Sequence, residues 1–336
     1  MRERGAQEGV SKRRILVSGA SGIVGYSILR SLRKSAQDCF LVGTSIYDDS
    51  VAPSFCDVFE LAPATSEAGY IDWLLTVIRH HGIEMVIPGI EIDMYSWVEH
   101  VPEIRGAGAE PLLNCPDLIG LCKDKWAFYL RLKEAAAGCV IDTSLAQNFA
   151  ILQEKFGLPF LLKPRRGFGS KGIVRVTTEA DFMPHCPDVG RLLMAQPIVG
   201  NDEQEYTTSA FCDGQGKYFA SMTLRRKLSL DGFTAKAEVV DTTVFSPVID
   251  ELCEIFRPYG PTNFQFRVCG DDHKLLEINP RISSSTSIRA AFGYNESEMA
   301  VAYFLGGITP IQPVIRQGRA VRYTDEQIYF EDSIHL

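Results

Sequence analysis

Asn263-Phe-Gln265-Phe-Arg267, a turn at Gly270-Asp-Asp272, and then Leu275-Leu-Glu277-Ile-Asn279-Pro-Arg281 are the stretch on which the reading of this chain turns. Two runs that alternate polar and apolar residues around a Gly-Asp turn spell an antiparallel hairpin. Side chains two apart on a strand share a face, so Glu277 and Asn279 project together while Ile278 points to the core. Gln265 lies on the strand that the turn folds back alongside. Three oxygen donors therefore converge without a thiol or an imidazole, a set suited to a hard cation such as Mg2+ bridging phosphates rather than to zinc. Arg281 follows at once, where it can clamp a transferring phosphoryl group. A polar strand edge would explain one of these residues; it explains all four poorly.

Upstream, Phe160-Leu-Leu-Lys163-Pro164 is an apolar strand that ends in a lysine, and Ile173 to Val176 is a second one. Between them runs Arg165-Arg166-Gly167-Phe168-Gly169-Ser170-Lys171-Gly172, a glycine-rich hairpin whose N–H groups and cations can close over a polyphosphate. The competing reading is a solvated basic hairpin. Arg225-Arg226-Lys227, after a strand, offers a bidentate clamp for a carboxylate, or is a solvated basic turn. Glu91 and Asp93 follow Met85-Val-Ile-Pro-Gly89, where a parallel sheet opens its carboxyl-end crevice; they can hold an ammonium group or simply cap a helix beginning near Met94.

Residues 14 to 113 alternate strand-like and helical stretches, which means a parallel sheet covered by helices. A helix is expected over 116–137, closely spaced strands joined by turns such as Asp213-Gly214 over 160–278, a helix over 285–305 and a last strand over 321–329. Gly19-Ala-Ser-Gly22-Ile-Val-Gly25 is a G-x-x-G-x-x-G turn between strand and helix. It reads either as a dinucleotide site, with Tyr129-x-x-x-Lys133 as an epimerase-type pair, or as a tight structural turn. The strand after the glycines ends in Gly43-Thr44-Ser45 without a ribose-binding acid, which favours the turn.

At 336 residues the chain is too long for one ordinary core, and 46% hydrophobic with 23% charged residues excludes disorder. A net charge of −8 without a basic patch argues against nucleic acid as a partner. The absence of a long apolar run argues against a membrane span. Nine scattered cysteines without a C-x-x-C pair fit reduced thiols in a cytoplasm. Met1 to Lys12 lacks the apolar core of a signal peptide, and residues 1–13 are expected to be a disordered tail.

Taken together these segments resemble the ATP-grasp superfamily. Glu277-Ile-Asn279-Pro-Arg281-Ile-Ser-Ser-Ser-Thr-Ser-Ile-Arg-Ala-Ala-Phe-Gly293 is most similar to the carbamoyl-phosphate-synthetase large-subunit branch, and the resemblance spans residue 14 to about residue 330. It implies an α/β and α+β ATP-grasp fold. A Rossmann-like pre-ATP-grasp domain over 14–115 would help bind the second substrate, with a helical linker and lid over 116–199 and a C-terminal subdomain over 200–336.

The same resemblance implies that Lys125 and Lys163 contact nucleotide phosphates, Lys163 also near the adenine, and that Gly167, Gly169, Ser170 and Lys171 form the flap. It further implies that adenine lies against Gln196-Pro197-Ile198, that Glu205 takes the ribose hydroxyls, and that Glu277 and Asn279, with Gln265 beside them, bind the metal. Arg281 would clamp the triphosphate. The cofactors are ATP and Mg2+, with Mn2+ as a substitute. Two positions depart from the family: Gln196 replaces the usual Glu, and Ser284 stands where the carbamoyl-phosphate branch carries another Arg.

One ATP-grasp copy in 336 residues is similar to the pyrrolysine-biosynthesis ligase and the amino-acid ligases rather than to a two-copy synthetase. The resemblance thus implies a carboxylate–amine ligase that works through an acyl phosphate on small molecules, amino acids being the expected substrates. A homodimer is the default assembly. A kinase that leaves phosphate on its product, a carbamoyl- or carboxyl-phosphate-forming enzyme, an NAD(P)-dependent epimerase or dehydrogenase using Gly19 to Gly25, and an inactive ADP-binding protein remain the alternatives.

Overall fold

The computed structural model describes residues 12–167 and 172–330, which divide by their contacts into two units. The first comprises residues 12–112, 304–306 and 327–330; the second comprises Leu113–Tyr303 and Gly307–Glu326.

The first unit follows the alternation in its sequence. β1 (Arg13–Val17), α1 (Ile23–Arg33), β2 (Cys39–Ser45), β3 (Val58–Leu61), α2 (Tyr70–His81), β4 (Met85–Ile87), α3 (Glu91–Trp97), α4 (Val101–Gly106) and β5 (Glu110–Pro111) build a five-stranded parallel sheet in the order β3-β2-β1-β4-β5. That order is of the doubly wound type. Ile15, Leu16 and Val17 have no exposed surface, as expected of a central strand covered on both faces. Arg13 already belongs to β1 and so departs from the tail expected over 1–13; residues 1–11 lie outside the described residues.

Steric contact explains the glycine turn. A Cβ on Gly25 would sit 2.3 Å from the Gly19 carbonyl oxygen, and one on Gly89 2.1 Å from that of Ser18. Gly19 itself has φ +57°, a left-handed conformation that glycine adopts without strain. Asp93 is 3% exposed and accepts hydrogen bonds from Tyr70 Oη at 2.9 Å and from Thr65 Oγ1, while Tyr70 also accepts from Trp97 Nε1 at 3.1 Å. Neither expectation for Asp93 holds: it is a satisfied core carboxylate, and the cap position of α3 is Ile90, without a side-chain cap.

The second unit opens with α5 (Pro116–Cys122), α6 (Lys125–Glu134) and α7 (Phe149–Phe156). β6 (Phe160–Pro164), β7 (Val174–Val176), the short α8 (Glu179–Phe182) and β8 (Leu193–Pro197) follow, the strands forming an antiparallel sheet in the order β7-β6-β8. The remainder is β9 (Glu205–Asp213), β10 (Tyr218–Leu228), β11 (Thr234–Val239), α9 (Ser246–Phe256), β12 (Tyr259–Cys269), β13 (Asp272–Asn279), α10 (Thr286–Ala291), α11 (Glu296–Gly306) and β14 (Arg319–Val321). Its strands form one six-stranded antiparallel sheet, β13-β12-β9-β10-β11-β14.

One face of this sheet is apolar: Ala210, Cys212, Phe264, Phe266, Leu275 and Ile278 pack on Ile249, Leu252, Cys253 and Phe256 of α9 and on Phe128 and Leu132 of α6. Among the described residues no helix is long and apolar enough to cross a membrane.

Several expected elements differ in extent. The helix expected over 116–137 is two helices, because Asp124 turns its carboxylate onto the N–H groups of Trp126 and Ala127 (2.9 and 3.4 Å) and starts a new one. The helix expected over 285–305 is broken between α10 and α11, where Gly293 has φ +104°. The strand expected over 321–329 is the three-residue β14, since only Arg319 to Val321 find partners on β11.

The turn at Gly19 to Gly25 yields a stability prediction with an informative sign. Alanine at position 25 would gain about 1 kcal/mol in helix propensity, yet its methyl group would meet the Gly19 carbonyl. Gly25→Ala is expected to lose about 2 kcal/mol or more in urea unfolding, and a neutral or stabilised variant would refute the steric explanation.

Candidate functional site

The register of the large sheet decides which side chains meet. Partners across antiparallel strands share a face, and Glu277 is paired with Gln265, Asn279 with Asn263. β9 continues the row, with Glu205 opposite Arg267, Thr207 opposite Gln265 and Ser209 opposite Asn263. The residues between them, such as Ile278, Phe264 and Ala210, form the apolar core on the opposite face. Alternation, with one bulge where Leu276 is passed over between Glu277 and Leu275, thus sorts the hairpin into a hydrophobic anchor and a polar platform.

On that platform Asn279 Nδ2 donates to Glu277 Oε1 at 3.0 Å, so the two side chains are held together as the sequence spacing requires. Their hard oxygen donors fit a Mg2+ ion, which needs one or two protein ligands and completes its shell with phosphate and water. Among the described residues no three His, Cys, Asp or Glu side chains come together as a metal centre of their own. Arg281, two residues beyond Asn279, donates from Nη1 to the Ile282 carbonyl at 2.9 Å.

Glu205 is nearly fully buried, and two arginines take both of its oxygens. Arg226 donates to Oε1 from Nε and Nη2 at 3.2 and 3.0 Å, and Arg267 donates to Oε2 from Nε and Nη2 at 3.2 and 3.1 Å. Four N–H groups saturate a carboxylate. In this arrangement Glu205 is the counter-ion of an arginine pair and has no lone pair left for a ribose hydroxyl. Arg226 also donates to Gln265 Oε1, which draws that amide oxygen away from a metal role. Arg267 continues outward to Asp202 at 2.5 Å.

Arg225 does not join Arg226. Adjacent residues of a strand face opposite sides, and Arg225 is an exposed partner of Glu238 on β11 while Arg226 is buried. The expected two-arginine clamp is therefore half of what the sequence suggested.

Lys163, on β6, is half-buried. Burial pushes its pKa down to about 8; Glu277 and Glu205 oppose the shift, and Arg267 and Lys125 add to it. These groups thus share one electrostatic neighbourhood of mixed charge, with Lys125, Lys163 and Arg267 beside Glu205 and Glu277.

The root of the glycine hairpin is tied to α6. Lys125 donates from its backbone N–H to the Arg165 carbonyl at 2.8 Å and from Nζ to the Gly167 carbonyl at 2.5 Å. Asp124 pairs with Arg165 and Arg166 at 2.8 and 3.4 Å. Gly167 has φ +117°, a value open to glycine. Gly169, Ser170 and Lys171 lie outside the described residues.

On β8, Gln196 is buried and donates from Nε2 to Thr143 Oγ1 at 2.8 Å; Pro197 ends the strand opposite Phe160, and Ile198 follows it. A cavity of roughly 500 Å3 lies at the hairpin root, lined by Arg165, Arg166, His185 and Arg191 among others. Lys163, Glu277 and Asn279 do not line it.

Sequence reasoning left Thr207, Ser209, Asn263 and Arg267 without roles, although the same alternation that exposes Glu277 and Asn279 carries them. The missing information was register: β9 lies fifty residues before β12, and only the folded sheet sets Glu205 against Arg267.

Residues 192–327 match the model of a family described as ATP-grasp in the biosynthetic pathway with Ter operon. The chain is 20% identical over 307 residues to the carbamoyl phosphate synthase large chain of Methanothrix thermoacetophila, a match covering 84% of this chain; it spans only about 28% of that relative's length. Among solved structures it is similar to N5-carboxyaminoimidazole synthetase from Staphylococcus aureus complexed with ADP (TM-score 0.70, 16% identity, 91% of this chain and 81% of that one). It is also similar to a biotin carboxylase complex with a nucleotide from Campylobacter jejuni (TM-score 0.71, 15% identity, 92% and 74%). The chain thus shares its fold with these two structures, and over residues 192–327 its sequence matches the ATP-grasp family model.

Proposed function

We propose that the chain is an ATP-dependent carboxylate–amine ligase that forms an amide through an acyl phosphate and releases ADP and phosphate. The observation that carries this reading is the set of Glu277 and Asn279 joined on one strand, with Lys163 in their electrostatic field. The nucleotide would lie between the sheet of β6, β7 and β8 and the polar face of the large sheet. Glu277 and Asn279 would hold Mg2+, for which Mn2+ can substitute, and the bound cation supplies charge neutralisation at the triphosphate.

The substrate carboxylate attacks the γ-phosphorus in line and the β–γ bridging oxygen leaves with ADP. Lys163 and Arg281 compensate the charge spread over the transferring group, and the hairpin beginning at Arg165 excludes water. The amine then attacks the acyl carbon, phosphate departs, and the amine proton is lost to solvent. Glu205 keeps Arg226 and Arg267 oriented on the platform. The arginine-rich neighbourhood supports anionic substrates, and amino acids supply both the carboxylate and the amine. Nine free thiols support a reducing cytoplasm as the working compartment, and a homodimer is the assembly we propose there.

Glu277 stands half-buried on the edge strand β13, so removing its carboxylate should spare the fold while removing a contact made to the transferring group. Glu277→Ala is expected to retain cooperative melting and to lose about a hundredfold or more in ADP release. Turnover at the parental rate would sink the assignment, and a product that retains phosphate would make the chain a kinase instead.

The pH dependence follows from Lys163. Its pKa in the protein is about 8, against 10.5 when unperturbed, so its positive charge is present below pH 8 and is lost as pH rises through that value. A bound triphosphate favours the charged form. Affinity for a non-hydrolysable Mg-ATP analogue should therefore fall between pH 7.5 and 9.5, by up to about tenfold per pH unit. Lys163→Arg, whose charge persists, should flatten that dependence in calorimetric titrations.

Arg225 and Arg226 provide a control on the clamp. Arg225→Ala, at an exposed ion pair, is expected to shift stability by no more than about 0.5 kcal/mol and to leave nucleotide binding unchanged. Arg226→Ala strips Glu205 and Gln265 of a buried partner and should weaken both.

A further inference from the structure

We infer that Arg289 is a positioning residue of this site: its buried guanidinium fixes the loop that carries Arg281 against the strands facing Glu277 and Asn279. The role in catalysis rests on the ligase reading above; the fixing of the loop does not.

Arg289, near the end of α10, has no exposed surface. Its Nη1 donates to Ser283 Oγ at 2.7 Å, in the loop between Arg281 and α10. Its Nη2 donates to Thr207 Oγ1 at 2.9 Å on β9 and to Asn263 Oδ1 at 2.9 Å on β12. Glu296, at the start of α11 and equally buried, supplies the counter-charge at 3.4 Å and accepts from Ser209 Oγ.

One planar fork therefore joins a loop to two strands, a task that the single ammonium of a lysine cannot perform. A buried ion pair is a weak device for stability but a strong one for registry. Here the register it sets is functional, because Asn263 is the cross-strand partner of Asn279 and Thr207 that of Gln265. Asn263 Oδ1 receives both Arg289 and Thr207 Oγ1, so the orientation of its amide is fixed, while its Nδ2 has no partner among the described residues. A buried donor held in one orientation beside the metal-binding amide is what an outer-shell support requires.

The test compares Arg289→Lys and Ser283→Ala with the parent chain by amide hydrogen exchange and by titration of adenylyl imidodiphosphate with and without Mg2+. For Arg289→Lys we expect exchange of residues 280–286 to quicken by about tenfold or more. The Mg2+ needed for half-maximal nucleotide binding should rise by about tenfold, with metal-free nucleotide affinity, to which the loop contributes only Arg281, falling by clearly less. A purely structural role would lower all binding together. Ser283→Ala, which removes only the loop contact, should show the same pattern at a few-fold size and keeps the test decisive if the lysine variant does not fold. Parental exchange and parental Mg2+ dependence in Ser283→Ala would overturn the inference. A parent chain that binds no nucleotide while Arg289→Lys still loosens the loop would support the fixing of the loop and overturn the ligase reading.

Discussion

The cross-strand pairing of β12 with β13 is the constraint from which the rest of the second unit follows. Because partners share a face, one hairpin commits Phe264, Phe266 and Ile278 to the core over α9 and, in the same register, commits Asn263, Gln265, Glu277 and Asn279 to the polar platform. A slip of one residue would exchange the two sets. Burial of the aromatic face thus enforces the geometry of the polar one, and the site inherits its order from the hydrophobic core.

The platform carries charge at a density that only mutual pairing can sustain. Glu205 is held between Arg226 and Arg267, and Arg289 faces Glu296 at no exposure, with Glu296 also accepting from Ser209 Oγ. Unpaired, any of these groups would carry a heavy desolvation penalty. Paired, they leave Lys163 with Glu277 and Glu205 on one side of the balance and Arg267 and Lys125 on the other, and burial is what lowers the lysine's pKa most.

Much of this was legible in the residues. Period-two alternation around Gly270-Asp-Asp272 brought Glu277 and Asn279 to one face, and strand, glycine turn and helix at Gly19 to Gly25 located the parallel sheet. What the residues concealed depends on contacts distant in sequence. Glu205 looks like a free acid until Arg226 and Arg267 are folded against it. Arg225 and Arg226 look like one clamp until the strand turns them to opposite faces, a consequence that the alternation rule contained and that the cluster of charge obscured. Asp93 sits where a crevice ligand should, yet Tyr70 and Thr65, about twenty to thirty residues earlier, enclose it. Asp124 interrupts what periodicity alone reads as one continuous helix.

Asp124 has a wider consequence. The carboxylate that starts α6 also grips Arg165 and Arg166 at the root of the glycine hairpin, and Lys125 beside it grips the Arg165 and Gly167 carbonyls. Helix start and hairpin root are one mechanical part made from two distant pieces of sequence. Anyone grafting a foreign hairpin onto this scaffold must transplant the first turn of α6 with it, since neither piece carries the complete anchor alone.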